Sequence, residues 1–358
     1  MMKILSSTLL LCLSSLAIAN PVLLGLPAMQ VPSDNPQSTA KIALGKKLFN
    51  DKRFSSNGSI SCASCHISSK AFTDGRAQSM GINGQIGQRN APTIINSAYL
   101  TTLFHDGRRS SLEAQALDPL TNPIEHGLTD HSLVINVIRT DFSYLKDFLN
   151  SFGITAEKIN MDTVAKAIAS YERTLVSGNT RFDQYFFKAN KKVLTVAEAR
   201  GLRLFRRKGN CANCHEISWN TALFTDNRFY NIGIGFDDLR PVLPAFLKGL
   251  KTDYSTAIAQ LSPQQKTQLG RFVVSRQLKD IGAYRTPTLR NIELTAPYMH
   301  DGSINTLREV VEYYDKGGKN NPLLNPAIFP LHLTEQEKSD LTAFLTTLTD
   351  SNYSKAHH

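Results

Sequence analysis

The alternation of apolar and polar positions along the chain predicts helices joined by long polar segments. Two segments begin with a Thr-x-x-Glu capping box, at Thr195 and Thr334, and continue with apolar residues at helical spacing. The first predicted helix ends near Phe205, and residues 162–176 have the same helical pattern. Residues 73–98 are rich in Gly, Asn and Thr and predict loops, and strand patterns are few. The sequence therefore predicts a mainly α-helical protein whose long loops need something to order them.

The chain also repeats itself over a long range, which is a signature of duplicated domains. A Gly-x-x-Leu-Phe pattern followed by Cys-x-x-Cys-His occurs twice, within residues 45–66 and 201–215. Later matches keep the same order; they pair Phe72-Thr73-Asp74 with Phe224-Thr225-Asp226, Pro92-Thr93 with Pro287-Thr288, and His105-Asp106-Gly107 with His300-Asp301-Gly302. We therefore expect two homologous domains, 20–185 and 186–358, with an insertion between Asp226 and Arg285 in the second.

Residues 1–19 have the pattern of a secretory signal peptide. Lys3 supplies the positive start, a short apolar stretch follows, and Ala17-Ile18-Ala19 provides small residues before a predicted cleavage after Ala19. That apolar stretch is shorter than the ~20 residues that spanning a bilayer requires, and no other stretch of the sequence approaches that length. The sequence therefore predicts a periplasmic protein with no stable membrane insertion.

The composition is that of a globular protein with an excess of basic side chains. The chain has 40 Lys and Arg against 30 Asp and Glu, a formal net charge of +10. Such a surplus can attract acidic partners, although a solvated basic surface without a partner is the alternative. The densest basic runs, residues 46–53 and 203–208, lie just ahead of the two cysteine pairs. Neither run is of the nucleic-acid-binding type, so we expect no nucleic-acid ligand.

The cysteines carry the main chemical signal. One of the five lies in the predicted leader, and the other four form two pairs, each followed directly by a histidine. The two groups are Cys62, Cys65 and His66, and Cys211, Cys214 and His215. Cys-x-x-Cys-His is the attachment sequence of c-type haem, in which the thiols bond to the porphyrin and the histidine ligates the iron. A redox dithiol or a zinc site would need a βαβ context or further ligands. We therefore expect two covalent haems, with His66 and His215 as proximal ligands.

The ordered motifs of the chain resemble those of the bacterial dihaem cytochrome c peroxidases and the related MauG-type enzymes. They are CASCH, RNAPT, DGRRSSLEAQ, NPIE, CANCH, RTPTLRN, APYMHDGS and TLREVVEYY, and they extend over about residues 37–350. The resemblance implies two cytochrome c-like domains, each wrapped around one covalent haem, with long loops and little strand. It also implies that the first haem is the peroxidatic one and that the second transfers electrons.

The resemblance assigns two residues to the first haem. Glu125 matches the acid–base glutamate of the family, a role that peroxide cleavage needs because a proton must move from one oxygen to the other. Gln115 matches a hydrogen-bonding glutamine of the distal pocket. Taken alone, each would be interpreted as a solvated polar side chain. Many family members carry a histidine ligand in the loop after the first haem motif, but residues 67–89 contain none. We therefore expect a first haem that needs no reductive activation.

At the second haem the resemblance places Tyr314 where typical peroxidases have a methionine ligand, as in the MauG-like branch. Tyr313 and Met299 are the alternatives. A phenolate ligand would stabilise ferric and higher oxidation states. The position before Asp-Gly-Arg, a tryptophan in many members, is His105 here, and we expect it between the haems. This departure disfavours long-range radical chemistry of the MauG type.

The resemblance also implies a calcium ion between the domains, with ligands from Asn90, Thr295 and Pro297. Hard oxygen donors suit calcium. The alternative for Asn90 is a turn residue ahead of Pro92.

Together these features predict a dihaem peroxidase that reduces hydrogen peroxide to water with electrons from a small redox protein, such as a cytochrome c or a cupredoxin. One alternative is a MauG-like oxidase that modifies a partner protein through high-valent iron. Another is a dihaem electron carrier without enzymatic activity. The sequence is compatible with a homodimer.

Overall fold

The computed structural model describes residues 22–354, so the predicted signal peptide and its cleavage point lie outside the described residues. The protein is mainly helical, as predicted, and is built from many short helices. In chain order they are α1 Thr39–Asn50, α2 Cys62–Cys65, α3 Leu112–Thr121, α4 Ser132–Thr140, α5 Phe142–Phe152, α6 Met161–Glu172, α7 Arg181–Phe187, α8 Val196–Arg206, α9 Phe236–Leu239, α10 Leu243–Leu250, α11 Tyr254–Ala259, α12 Pro263–Gln268, α13 Phe272–Ser275, α14 Leu307–Asp315, α15 Glu335–Thr346 and α16 Ser351–Ser354. A two-stranded antiparallel sheet joins β1 Phe229–Tyr230 to β2 Tyr284–Arg285.

The helices predicted from capping boxes are confirmed. Thr195 caps α8: its hydroxyl accepts from the Glu198 amide at 3.2 Å, and the Glu198 carboxylate accepts from the Thr195 amide at 2.8 Å. Thr334 caps α15 in the same way. The helix predicted over 162–176 is shorter than expected, because α6 ends at Glu172. The side chain of Asn96 bonds to the backbone of Ser177 there and holds the following segment in an extended course.

The internal repeat is visible in the packing of the helices. Helix α1 packs against α6, and α8 packs against α15. Each crossing depends on a glycine: a Cβ atom at Gly45 would lie 1.9 Å from the Ala167 carbonyl oxygen, and one at Gly201 would lie 2.0 Å from the Asp340 carbonyl oxygen. The two Gly-x-x-Leu-Phe segments of the sequence therefore mark equivalent helix contacts.

Separate apolar clusters form the core. One lies within residues 44–175 and another within residues 182–348. A buried ion pair adds to the second cluster, because Arg290 meets Asp183 at 2.9 Å with both side chains fully buried. The same guanidinium donates to the Gly25 carbonyl oxygen at 3.0 Å. The start of the described chain is thereby fixed against the second cluster.

The predicted insertion contains five short helices, α9 to α13, around an apolar cluster of its own. It also contacts the first half of the chain. Arg271 donates to the carbonyl oxygens of Asp106 at 3.0 Å and Gly107 at 2.8 Å, and Arg89 donates to the Thr267 carbonyl oxygen at 3.2 Å. No helix within residues 22–354 is long and apolar enough to cross a membrane.

Candidate active site

The first Cys-x-x-Cys-His motif forms a tight turn that ends in an imidazole held by a backbone carbonyl group. Cys62 and Cys65 are the ends of α2, and the His66 amide donates to the Cys62 carbonyl oxygen at 3.0 Å. The Nδ1 atom of His66 lies 3.1 Å from the Phe72 carbonyl oxygen. Because a carbonyl oxygen only accepts, Nδ1 carries the proton and Nε2 keeps its lone pair for a metal. Burial lowers the pKa of His66, which favours this neutral form.

The second motif repeats this arrangement. The His215 amide donates to the Cys211 carbonyl oxygen at 2.9 Å, and Nδ1 of His215 lies 2.8 Å from the Phe224 carbonyl oxygen. Phe72 and Phe224 both have positive φ, 58° and 54°, which is uncommon for a phenylalanine. This backbone turn directs their carbonyl groups at the histidines. The role of the two phenylalanines was missed from the sequence, although the matched Phe-Thr-Asp triplets were the signal for it.

The side chains of the second motif share one open cavity of about 1920 Å³, a volume that includes its opening to solvent. Its walls are mainly apolar, and its lining residues include Cys211, Cys214, His215, Met299, His300 and Tyr314. Two thiols and an imidazole nitrogen that face one apolar cavity fit a covalently attached haem. Burial raises the pKa of the Cys211 thiol to about 12, so this thiol is neutral at physiological pH.

The two candidate tyrosines have different surroundings. Tyr314 lines the cavity, and its hydroxyl makes no hydrogen bond within residues 22–354. The Tyr313 hydroxyl instead donates to the Ile232 carbonyl oxygen at 2.8 Å. Burial raises the pKa of Tyr314, so its phenolate requires a nearby positive charge such as a ferric iron. Met299, the other alternative, also lines the cavity.

Glu125 lies close to the first cysteine pair in a half-buried position. Its charge contributes to raising the pKa values of both the Cys62 and the Cys65 thiol, after the larger effect of burial. Burial also raises the pKa of Glu125 itself, while the charge of Arg108 opposes that rise. The Asn122 amide donates to one carboxylate oxygen of Glu125 at 2.7 Å. The arrangement is that of an oriented carboxylate with an increased proton affinity.

Gln115 is half-buried on α3, within the first half of the chain. Its backbone amide donates to the Ser111 carbonyl oxygen at 3.0 Å, as the first turn of the helix requires. Within residues 22–354, no hydrogen bond joins its side chain to Glu125 or to the first cysteine pair. The predicted role of Gln115 in the distal pocket stays a prediction.

His105 lies where the two halves of the chain meet. Its Nε2 atom is 3.0 Å from the Asn90 carbonyl oxygen, and its own carbonyl oxygen accepts from the Arg285 amide at 2.8 Å. Burial, helped by the charge of Arg89, lowers the pKa of His105 to about 4. The imidazole is therefore neutral at physiological pH. His105 also lines the cavity of the second motif.

An aromatic pair beside His105 was missed from the sequence. The rings of Tyr284 and His300 are stacked with centroids 3.6 Å apart and an interplanar angle of 16°. Gln268 of the insertion holds both, since its side-chain oxygen lies 2.8 Å from His300 Nε2 and 3.1 Å from the Tyr284 hydroxyl. The signal in the sequence was His300 as the repeat partner of His105, but the insertion that completes the contact has no counterpart in the first half.

The three predicted calcium ligands Asn90, Thr295 and Pro297 all line the cavity of the second motif. The Asn90 side-chain amide donates to the Arg76 carbonyl oxygen at 2.7 Å. Within residues 22–354 no group of three His, Cys, Asp or Glu side chains is arranged to hold a metal ion. The predicted calcium donors are an amide and carbonyl groups, so the calcium site stays a prediction.

Comparison with known proteins identifies the family. Residues 39–192 match the family described as Di-haem cytochrome c peroxidase. The cytochrome-c peroxidase IdrP1 of Pseudomonas sp. (strain SCT) is 38% identical over 346 residues, which cover 94% of this chain and 87% of that protein. The chain belongs to the dihaem cytochrome c peroxidase and MauG family. Membership implies two c-type haems, in agreement with the two Cys-x-x-Cys-His motifs.

Proteins named for MauG are also similar to this chain. The methylamine utilization protein MauG of Methylorubrum extorquens is 35% identical over 317 residues, which cover 88% of this chain and 80% of that protein. A solved MauG-like protein associated with microbial copper homeostasis is 35% identical with a TM-score of 0.77, covering 93% of this chain and 97% of that one. The choice between the two activities within this family therefore depends on the residues around the haem sites.

Proposed function

We propose that this protein is a periplasmic peroxidase that reduces hydrogen peroxide to water at the haem ligated by His66. Electrons from a small exported redox protein would be relayed through the haem ligated by His215. The observation that carries this proposal is the unequal pair of surroundings. An oriented carboxylate, Glu125, lies beside the first cysteine pair, whereas an unbonded phenol, Tyr314, lines the cavity of the second.

The haem at the first site would supply the iron that binds peroxide and the electrons that reduce it. Reduction consumes two electrons and two protons for each peroxide and yields two water molecules. Glu125 would take a proton from one peroxide oxygen and give it to the other, so that the O–O bond breaks with water as the leaving group. Its raised pKa makes Glu125 a better base than a surface carboxylate. Asn122 holds one carboxylate oxygen, so the other remains available for this proton transfer.

The residues of the second site suit electron transfer. Tyr314 and His215, which line the same cavity, would together hold the iron of the second haem and leave it no position for a substrate. An anionic oxygen ligand in this position favours the oxidised iron and lowers its reduction potential. The backbone carbonyl of Phe224 keeps the His215 ring in one tautomer and orientation. A ligand set that changes little on reduction is what an electron relay requires.

Asn90, Thr295 and Pro297 would hold a calcium ion near the junction of the two halves. Its charge would be met by amide and carbonyl oxygens and by water. Their position on the wall of the second cavity supports a structural role for such an ion, since it would order the loops beside that haem.

A MauG-like oxidation of a partner protein is the second candidate. Tyr314 and the similarity to proteins named MauG favour it. The residue at the junction disfavours it, because His105 takes the place of an easily oxidised indole and the single tryptophan, Trp219, is 87% exposed. The remaining alternative is a dihaem electron carrier, in which the oriented carboxylate of Glu125 would have no function.

Spectroscopy and kinetics on the purified holoprotein distinguish these three functions. We expect one high-spin and one low-spin haem in the ferric electron paramagnetic resonance spectrum, and catalytic oxidation of reduced cytochrome c on addition of peroxide. A long-lived high-valent state without cytochrome c turnover would favour the MauG-like function. Two low-spin haems and no reaction with peroxide would indicate a simple electron carrier.

A further inference from the structure

The cavity of the second motif opens at an exposed aromatic side chain. Phe329 lines this cavity, yet it is 47% exposed to solvent. Pro330 beside it is exposed as well. A protein that covered these two residues would therefore be separated from the haem site only by the wall of the cavity. Exposed aromatic and proline side chains next to a redox site provide the apolar centre of a docking surface.

Two exposed cations lie on segments that contact the loop of this apolar centre. The backbone of Lys316 is bridged to that of Pro330, which places Lys316 next to Phe329. The Asn210 side chain donates to the Ala327 carbonyl oxygen at 3.1 Å, which joins the loop that contains Arg207 to the loop that contains Phe329. We call Phe329, Pro330, Lys316 and Arg207 the mouth surface.

The charge of the mouth surface is positive. Lys316 and Arg207 are exposed, and neither forms an ion pair within residues 22–354. Two neighbouring acidic groups are already paired, since Glu337 pairs with Lys208 at 2.6 Å and Asp315 pairs with Lys338 at 3.0 Å.

Glu216, the exposed residue that follows His215, is an acidic group near the attachment turn without an ion pair in the described part of the chain. The positive charges of Lys316 and Arg207 exceed this single negative charge. The net charge of the chain, +10 or +9 without Lys3 of the predicted leader, has the same sign, so the field of the whole molecule and the local charges attract the same kind of partner.

From these contacts we propose that the mouth surface is the docking site of the electron donor, and that this donor is a small redox protein whose own redox centre is surrounded by carboxylates. This inference rests on the proposed function. Carboxylates on the donor would meet Lys316 and Arg207 while an apolar patch covers Phe329. Small, charge-steered contacts of this kind are typical of electron-transfer complexes, which must form and separate quickly.

The test measures binding without peroxide, so that it does not depend on catalysis. The ferric holoprotein is titrated into an isotopically labelled acidic c-type cytochrome, and separately into a basic mitochondrial-type cytochrome c, and chemical-shift changes of the cytochrome report the Kd. We expect binding of the acidic cytochrome only, weakening as ionic strength rises from about 0.01 to 0.1 M and the Debye length falls from about 30 to 10 Å. The double variant Arg207→Glu/Lys316→Glu should weaken binding at least about tenfold.

The matched control is the pair Lys146→Glu/Lys158→Glu, which makes the same change of charge at two exposed lysines in the first half of the chain. It should keep the Kd within about twofold of the unchanged protein. Equal binding by the double variant and the control, or a preference for the basic cytochrome, would overturn the proposal. Salt dependence of the unchanged protein provides a measurement that needs no variant.

Self-association is checked by sedimentation. A dimer that Phe329→Ser dissociates would assign the mouth surface to a second copy of this chain and would also overturn the proposal. Peroxide reduction driven by ascorbate and a small dye is measured separately. If the unchanged protein has no dye-driven activity, the proposed function is contradicted. If it has this activity but binds cytochrome without dependence on charge, only the docking inference is contradicted.

Discussion

Burial acts on the two key side chains in the same direction but with different consequences. It raises the pKa of Glu125 and of Tyr314, and so favours the neutral form of each. For Glu125 the raised pKa lies closer to the working pH, where a carboxylate can both take and return a proton. For Tyr314 the shift moves ionisation further from neutrality, so only a bound cation can produce the phenolate. One physical effect thus favours proton transfer at one site and makes formation of a phenolate depend on a bound metal at the other.

Replacement of Glu125 by Gln tests the proton-transfer role. The amide keeps the size and the hydrogen-bonding capacity of the side chain but cannot accept the proton. We expect kcat for peroxide reduction to fall about 10²-fold or more, with unchanged ferric spectra of both haems. The control is Glu157→Gln at an exposed glutamate, which should have a normal rate. A near-normal rate for Glu125→Gln would remove this residue from the mechanism.

The pH dependence of the reaction should report the same carboxylate. The folded-state pKa of Glu125 is raised above its ordinary value of 4.5, so the group becomes protonated, and unable to act as a base, at a higher pH than a surface glutamate. The value of kcat/KM for peroxide should therefore fall as the pH decreases through this raised pKa. Measurement from neutral to acid pH should show that acidic limb. Glu125→Gln should lack it, and an identical limb in the variant would assign it to another group.

Tyr314→Phe tests the distal ligand of the second haem. Loss of the hydroxyl removes the oxygen that would bind iron, so we expect the low-spin ferric signal of that haem to change while the high-spin signal of the other is retained. Tyr313→Phe is the matched control, because its hydroxyl is bonded to the Ile232 carbonyl oxygen. An unchanged spectrum for Tyr314→Phe, or a changed one for Tyr313→Phe, would assign the ligand to Met299 or Tyr313.

The sequence predicts which side chains lie together when they follow a fixed local spacing. Cys62 and His66 belong to one short motif, so their proximity needs no knowledge of the fold. The stack of Tyr284 on His300 could not be predicted in this way, because it depends on Gln268 in an insertion that matches nothing in the other half. The Phe72 and Phe224 carbonyl groups were missed for a different reason: a backbone acceptor leaves no side-chain signature of its own.

Among the elements, the paired helices α1 with α6 and α8 with α15 provide the frame on which each haem motif is mounted. The helices with strong local capping signals, α8 and α15, could be predicted because a Thr and a Glu three residues apart satisfy the free amides of the first turn. The end of α6 could not, because the segment after it is held by a distant side chain, Asn96, that bonds to the backbone of Ser177.

Gly45→Ala tests the role of the helix crossing. The added Cβ would lie 1.9 Å from the Ala167 carbonyl oxygen, so α1 and α6 must move apart to admit it. The intrinsic preference of a helix for Ala is less than this repacking penalty, and we expect the free energy of unfolding to fall by about 1–3 kcal/mol. Urea denaturation of the holoprotein measures this loss. Lys46→Ala at the next, exposed position of α1 should change stability by less than about 0.5 kcal/mol. Equal stability of the two variants would show that the crossing has room for a methyl group.

In the whole molecule, electron relay requires the two haem motifs to keep a fixed relative position. Several of the contacts that fix it come from the insertion. Arg271 donates to two carbonyl oxygens of the first half and lies 4.3 Å from the ring of Phe229, while Arg89 of the first half donates to the Thr267 carbonyl oxygen of the insertion. The insertion thus acts as a clamp between the halves. The internal repeat could not predict these contacts, because the insertion has no counterpart in the first half.

Arg271→Gln should loosen this clamp without touching either cysteine motif. Hydrogen bonds from a charged group contribute about 1.5–3 kcal/mol, so we expect the free energy of unfolding to fall by roughly that amount. Peroxide turnover driven by a protein donor should fall as well, because electrons must cross the loosened junction, whereas the spectra of the individual haems should be unchanged. Arg276→Gln is the control on the same segment, because Arg276 stacks on Tyr254 within the insertion and, among residues 22–354, forms no side-chain hydrogen bond or ion pair with the first half. If both variants retain normal stability and turnover, the relative position of the haems must be fixed by other contacts, such as that between Arg285 and His105.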